Sequence, residues 1–332
     1  MNKYILVIQE SHLHIGLFDD LKNRGEVQFC PVTRKKSNSK VLNCIMKIHC
    51  SWSINKHFKL PFRKYWYAYP KIQLENKHNT YVVIVDIALK AFSTGELNKL
   101  FAEVGVHGVL VLINSYDASS IGMLEIKDKI HKVNWSQILT FDPIEAEKYG
   151  WDYMGTCYYS MHHPQQIKEN YPGINSSDAY FAGGIKGDRE QLILEVFEKL
   201  VRENIVTSYN IMVSGKKRFE RKKYEEKIHY YAGSWMPYEK ILAGVLNTNV
   251  IIEILQKGQN GPSLRYYEAV CYNKKLLTNN PNVEKLPFYN PRYMKVFSGS
   301  DDIDFEWIKT KEEVNYGYDG SFSPYYLLSK MK

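Results

Sequence analysis

The sequence predicts an α/β protein of two doubly wound, Rossmann-like domains facing a cleft. Three observations carry this reading. The chain has 332 residues, more than one core ordinarily serves. Short, continuous apolar runs such as YILVIQ at 4–9, YVVIVD at 81–86 and GVLVLIN at 108–114 alternate with helix-length amphipathic stretches, the pattern of parallel strands covered on both faces. That rhythm stops once, at MHHPQQIKENYPGINSS over 161–177, and then resumes.

The elements follow in order. In the first half, strands are expected at 4–9, 27–31, 81–86, 108–114 and 138–141. Helical patterns fill 15–23, a long region 41–77, 94–104 and 121–131, with Gly25 as a C′ stop to the first. The prolines and polar residues of 161–177 read as a linker. In the second half, strands are expected at 179–182, 210–213, 228–231, 250–254 and 275–278. Helices are expected at 189–203, 217–227, 237–243 and 263–272. In the first of these, Leu192, Val196 and Leu200 share one face with Phe197 beside them. The expected domains are 1–160 and 178–310, with 311–332 a tail packing back across the cleft. Ligands in such sheets lie beyond the carboxyl ends of the strands.

Composition narrows the function classes. No apolar run approaches the ~18–20 residues that span a bilayer, and the opening MNKYILVIQE reads as a buried strand, not a signal peptide. The five cysteines form no C-x-x-C pair, which argues against a zinc site or disulfide framework and for a reducing cytoplasm. A net charge of +8 with 26 tyrosines suits phosphates and flat sugar or base surfaces.

Residues 258–268, GQNGPSLRYYE, place two glycines and a proline before a helix start. Unpaired amides at Gly261 and Ser263, with the helix dipole, make a diphosphate seat. Arg265 and Glu268 share a face three residues apart; they read either as phosphate and ribose contacts or as an i,i+3 ion pair below a helix cap. Gly184, in the turn GGIKGDR, reads either as a phosphate-approach loop or as a strand-to-helix turn. The acids of DDID at 301–304 read as a helix start capped by Ser300 or Asp301, not as a metal site. Lys59, Arg63, Lys64 and Trp66 belong to a basic, aromatic segment at 51–71 suited to an anionic membrane surface. Such mixtures also occur in single-strand binders, but no nucleic-acid motif accompanies it, and no nucleic-acid partner is expected.

Three stretches carry a resemblance. The first spans Ile252, Glu253, Gln259, Gly261, Ser263, Leu264, Arg265, Glu268, Ala269 and Lys274 through Asn280. The second is TFDPIEAEKYGW at 140–151, and the third SDAYFAGGIKGDR at 177–189. Together they resemble GT-B-fold glycosyltransferases of capsule, exopolysaccharide and lipopolysaccharide gene clusters, over about 140–297 of the chain. The resemblance implies a nucleotide-sugar donor in the C-terminal domain, its ribose held by Glu268, its diphosphate by the Gly261–Ser263 helix start, Arg265 and Lys216 or Arg218, without a metal or other cofactor. The position eight residues before the ribose glutamate, a glutamate in many retaining relatives, is Asn260 here. A base from the first domain would activate the acceptor: Asp86 and His14 lead, with His12 and Asp117 behind them and His162 and His163 near the domain junction. The acceptor is expected to be a glycan or lipid-linked glycan, and the enzyme cytoplasmic and peripheral at the inner face of the membrane, as a homo-oligomer or with a partner transferase. A non-catalytic partner subunit of GT-B shape is the alternative, and a nucleic-acid-binding protein, suggested by the charge and the 51–71 segment, ranks below it.

Overall fold

The computed structural model describes residues 2–35, 37–51, 54–55, 57, 60, 63–68, 79–118, 121–185, 189–213, 227–232 and 236–332. Two compact units divide it: residues 1–160 with 323–332, and residues 161–322.

In the first unit, strands β1 (Lys3–Gln9), β2 (Val27–Arg34), β3 (Tyr67–Ala68), β4 (Thr80–Val85), β5 (Val106–Leu112), β6 (Gln137–Thr140) and β7 (Asp152–Tyr153) form one sheet. Its order is β3-β2-β1-β4-β5-β6-β7, parallel except where β3 runs antiparallel to β2. β1 lies between β2 and β4, its first neighbours on either side, so the crossovers diverge at the β1/β4 gap. Every residue of β4 is buried, which explains its uninterrupted apolar sequence.

The helices bounded within the described residues of this unit are α1 (His12–Leu17), α2 (Lys40–His49), α3 (Thr94–Phe101), the single turns α4 (Ile121–Leu124) and α5 (Lys127–Ile130), and α6 (Pro143–Tyr149). A capping box of Ser93 and Glu96 starts α3. Asp142 caps α6, Pro143 opens it, and Gly150 closes it at φ 67°, a left-handed conformation that favours glycine.

The second unit repeats the plan. Strands β8 (Ser177–Ile185), β9 (Thr207–Val213), β10 (Ile228–Ala232), β11 (Thr248–Glu253), β12 (Lys275–Thr278) and β13 (Met294–Val296) order as β10-β9-β8-β11-β12-β13. All of these pairings are parallel. Both sheets thus carry the strand order of doubly wound folds, as the sequence predicts. The helices are α7 (Pro164–Asn170), α8 (Arg189–Arg202), α9 (Tyr238–Leu246), α10 (Leu264–Cys271) and α11 (Phe305–Lys309); α12 (Tyr325–Leu328) returns to the first unit.

Several expectations need correction. The helix expected at 15–23 ends at Leu17 and gives way to a 3-10 turn at Asp19–Leu21, so Gly25 is not its C′ residue. The helical region expected over 41–77 is interrupted where described: it comprises α2, helical residues 54, 55 and 57, a 3-10 turn (Arg63–Trp66) and β3. The stretch 161–177 contains α7, with Pro164 in its first turn and Ile167 buried; the proline there starts a helix. In α8 the buried positions are Ile193, Val196, Phe197 and Leu200, with Leu192 only partly covered. Asp304, not Ser300 or Asp301, caps α11 by accepting from the Trp307 amide at 2.9 Å, because residues 300–302 form their own 3-10 turn. The helix expected at 217–227 lies outside the described residues.

Candidate functional site

In the second unit the carboxyl ends of β8 and β11 flank the gap where the crossovers diverge. Arg189 bridges them. Its Nε donates to the Gly184 carbonyl at 2.9 Å, and its Nη1 donates to the Ile254 carbonyl at 2.9 Å. Burial lowers its pKa to about 10, which still leaves a guanidinium at neutral pH. Gly184 is therefore the carbonyl end of this clamp. Sequence reasoning named the glycines of the turn and missed the arginine; its signal was a basic residue at the start of the first helix after β8.

The loop from β11 to α10 is held from both sides. Glu253, buried at the end of β11, accepts from the Ser263 amide at 3.1 Å, the Ser263 hydroxyl at 2.5 Å and the Thr278 hydroxyl at 2.5 Å. Burial raises its pKa, against the pull of those donors. Asn279 accepts from the Leu255 amide at 2.7 Å, and the Asn280 amide group donates to the Asn260 carbonyl at 3.4 Å. The TNN run thus fastens the loop. Asn260 turns its own amide group toward the Gly258 carbonyl, 3.5 Å away.

Helix α10 begins at Leu264 with Ser263 as its cap, the hydroxyl accepting from the Arg265 amide at 3.2 Å. This corrects the expected diphosphate seat in one respect. The Ser263 amide is engaged by Glu253, so the negative group at this helix start is a side chain of the protein itself. Gly261 is buried beside it.

Arg265 and Glu268 do meet: Nη2 lies 2.7 Å from Oε1. Tyr238, the first residue of α9, donates to the same Oε1 at 3.0 Å. Glu268 is 0% exposed. Burial pushes its pKa up to about 7, opposed by Arg265 and Tyr238. Among the described residues its second oxygen, Oε2, has no hydrogen-bond partner, and neither has the buried Tyr180 hydroxyl, whose ionisation is affected electrostatically by both Arg265 and Glu268. A buried, unsatisfied carboxylate oxygen is costly, about 1–3 kcal/mol or more. Lys216 lies outside the described residues.

In the first unit, His14 and Asp86 come together at the β1/β4 gap. Asp86 follows β4 directly and is fully buried. Its Oδ2 accepts from the amides of Ile113 at 3.0 Å and Asn114 at 2.8 Å, and from the Asn114 side chain at 2.9 Å; Oδ1 accepts from the Ile87 amide. Asp86 thus ties the end of β4 to the end of β5. Burial raises its pKa, while Asn114 and His14 lower it. His14 lies in the first turn of α1, where Ser11 caps its amide at 3.1 Å and meets its Nδ1 at 2.6 Å. Burial lowers the His14 pKa below 6.5 despite the attraction of Asp86.

The remaining candidates are placed otherwise. His12 is exposed. Burial pulls the Asp117 carboxyl up, but hydrogen bonds from Lys148 at 2.8 Å and Tyr149 at 2.6 Å hold it below the usual range. His162 exchanges backbone hydrogen bonds with the Tyr272 hydroxyl, and His163 precedes α7. Trp66 is half-buried, its ring edge-on to His49 at 5.8 Å. Lys59 and the side chains of Arg63 and Lys64 lie outside the described residues. Among the described residues no cluster of three or more His, Cys, Asp or Glu could hold a metal ion, and no helix is long and apolar enough to cross a membrane.

No family model matches the chain, and no curated protein matches it. Solved structures do. TarM is 13% identical, with 77% of this chain and 54% of that one covered and a TM-score of 0.44; the chain thus spans about half of TarM's length. UDP-GlcNAc 2-epimerase from Methanocaldococcus jannaschii, in complex with UDP-GlcNAc and UDP, is 12% identical over 98% of both chains, with a TM-score of 0.47. An alpha-glucosyltransferase in complex with UDP-glucose and DNA containing an abasic site is 10% identical, with 86% of this chain and 82% of that one covered and a TM-score of 0.48. The strand order of the two sheets matches what the GT-B resemblance implies for each unit.

Proposed function

We propose that the chain is a glycosyltransferase that moves a sugar from a nucleotide diphospho-sugar to a glycan acceptor. The observation that carries this reading is Glu268, a fully buried carboxylate with one oxygen engaged by Arg265 and Tyr238 and the other without a hydrogen-bond partner among the described residues. A ribose hydroxyl donating to Oε2 would satisfy it. Arg265 and Arg189 would supply positive charge for the diphosphate, with Lys216 joining them from a segment rich in lysine and arginine. No metal is then required for departure of the nucleotide.

His14 is the base in this reading. With Nδ1–H donated to Ser11, Nε2 presents a lone pair, and a lowered pKa keeps the ring neutral at pH 7. The acceptor hydroxyl gives its proton to Nε2, its oxygen bonds to the anomeric carbon, and the sugar–phosphate bond breaks to release the nucleoside diphosphate. Asp86, whose attraction works against the effect of burial on His14, would stabilise the imidazolium. We further propose a lipid-linked acceptor in surface-polysaccharide synthesis, with the protein peripheral at the cytoplasmic face of the membrane, as a homo-oligomer or beside a partner transferase.

A second reading, a non-catalytic partner subunit of a transferase, is favoured by the complete burial of Glu268 and by the Ser263 amide being taken by Glu253. A thermal-shift panel of UDP-, GDP-, ADP- and CDP-sugars separates the two. The transferase reading predicts that one nucleotide raises Tm in proportion to ln(1 + [L]/Kd) and that the purified chain alone slowly hydrolyses that donor. A flat response across the panel at millimolar ligand would leave the partner reading standing.

A further inference from the structure

Helix α2 is a 10-residue helix with no buried residue. Its two ends and Asn43 hold it to the protein. Ser39 caps its start, and Asn43 exchanges two hydrogen bonds with the Ser37 backbone, at 3.1 and 2.6 Å. At the far end Asn55 donates to the His49 carbonyl at 2.7 Å, and the His49 ring meets Trp66. Up to His49 an apolar stripe is open: Val41 is 68% exposed, Leu42 46%, Ile45 38% and Ile48 46%. At 100° per residue these four fall within an arc of about 120°. Cys44 borders the stripe and is also exposed. Lys40 and Lys47 lie together just beyond Cys44, both exposed.

So short a helix is marginal on its own, and this one adds nothing to the core cluster of its unit. Its apolar stripe is therefore kept for something other than folding. The charge around it says what. Residues 27–74 contain ten lysines and arginines and no aspartate or glutamate, so this segment outweighs the net charge of +8 of the whole chain. An apolar stripe edged by lysines within a wholly basic segment fits a negatively charged lipid surface, where the stripe enters the acyl boundary and the lysines reach the headgroups.

We propose that α2 is the element that seats the protein on an anionic bilayer, through Val41, Leu42, Ile45 and Ile48 with Lys40 and Lys47 at the headgroups. This deepens the peripheral placement proposed above and rests on it, but not on the donor assignment. The Ile45→Ser/Ile48→Ser double variant removes exposed side chains only, so its Tm stays that of the wild type.

The test is flotation of the full chain with 100-nm vesicles of phosphatidylcholine alone or with one-third phosphatidylglycerol. A second readout is an environment-sensitive fluorophore on Cys44, the one exposed cysteine of five. The wild type is expected to float with the anionic vesicles, and its fluorophore to brighten and shift to the blue. The double serine variant should bind more than about tenfold more weakly. Lys40→Gln and Lys47→Gln should each weaken binding about fivefold at low salt and less at high salt. Equal flotation of wild type and double variant, with no fluorophore shift, would overturn the role of α2 while leaving peripheral placement intact. No flotation of the wild type would overturn both. Self-association abolished by the serines, without vesicle binding, would assign the stripe to a second copy of the chain and refute the proposal. None of these outcomes touches nucleotide binding, which is measured separately.

Discussion

Replacing Glu268 with glutamine tests whether this carboxyl is held in a strongly unfavourable place. Burial pushes its pKa from 4.5 up to about 7. Between those values the folded chain holds a proton that the unfolded chain has lost. Glu268 therefore contributes most stability at acid pH, and the contribution is lost as pH rises through 7. At 1.36 kcal/mol per pH unit, the loss between pH 5 and pH 8 is about 2.5 kcal/mol. Glutamine keeps an oxygen for Arg265 and Tyr238 but does not titrate. Urea unfolding of both proteins at pH 5 and pH 8 reads the difference directly. The glutamine variant should gain about 2.5 kcal/mol on the wild type between the two pH values, or roughly 5–10 °C in Tm for a unit of this size. Parallel pH profiles would show that Glu268 holds no such proton in the folded chain. So would a variant that loses ground as pH rises, since Glu268 would then be a stabilised anion paired with Arg265 from acid pH upward.

Two further substitutions probe the two units separately. His14→Gln should lower the transfer rate about 10²–10⁴-fold while leaving the donor Kd unchanged in the same preparation; an unchanged rate would remove His14 as the base. A Cβ added at Gly244 in α9 would lie 2.2 Å from the Tyr180 ring. Gly244→Ala should therefore destabilise the second unit by about 1–2 kcal/mol, overpacking outweighing alanine's helix preference; urea titration showing an equal or higher midpoint would mean the ring moves aside.

What the sequence disclosed followed the strength of its local signals. The core strands were legible because parallel strands buried on both faces read as unbroken apolar runs, and β12 lies where expected, at Lys275–Thr278. The edge strands β3, β7 and β13 were not legible, since two or three residues carry no periodicity. Pro164 misled because a proline that ends one helix opens another. In the site, the Arg265–Glu268 pairing was legible from its i,i+3 spacing. Three facts were not: that Glu253 fills the helix start from ten residues back, that Arg189 spans two strand ends, and that Tyr238 reaches Glu268 from another helix. Each depends on chain crossings that spacing cannot encode.

In the proposed function Glu268 holds the nucleotide of a donor sugar. Calorimetric titration of the nucleoside diphosphate selected by the thermal-shift panel, into wild type and Glu268→Gln at pH 8, tests it most directly. Saturable binding to the wild type is expected, and binding about tenfold or more weaker in the variant, the loss of one hydrogen bond to a charged group. Equal dissociation constants in two folded proteins would contradict it.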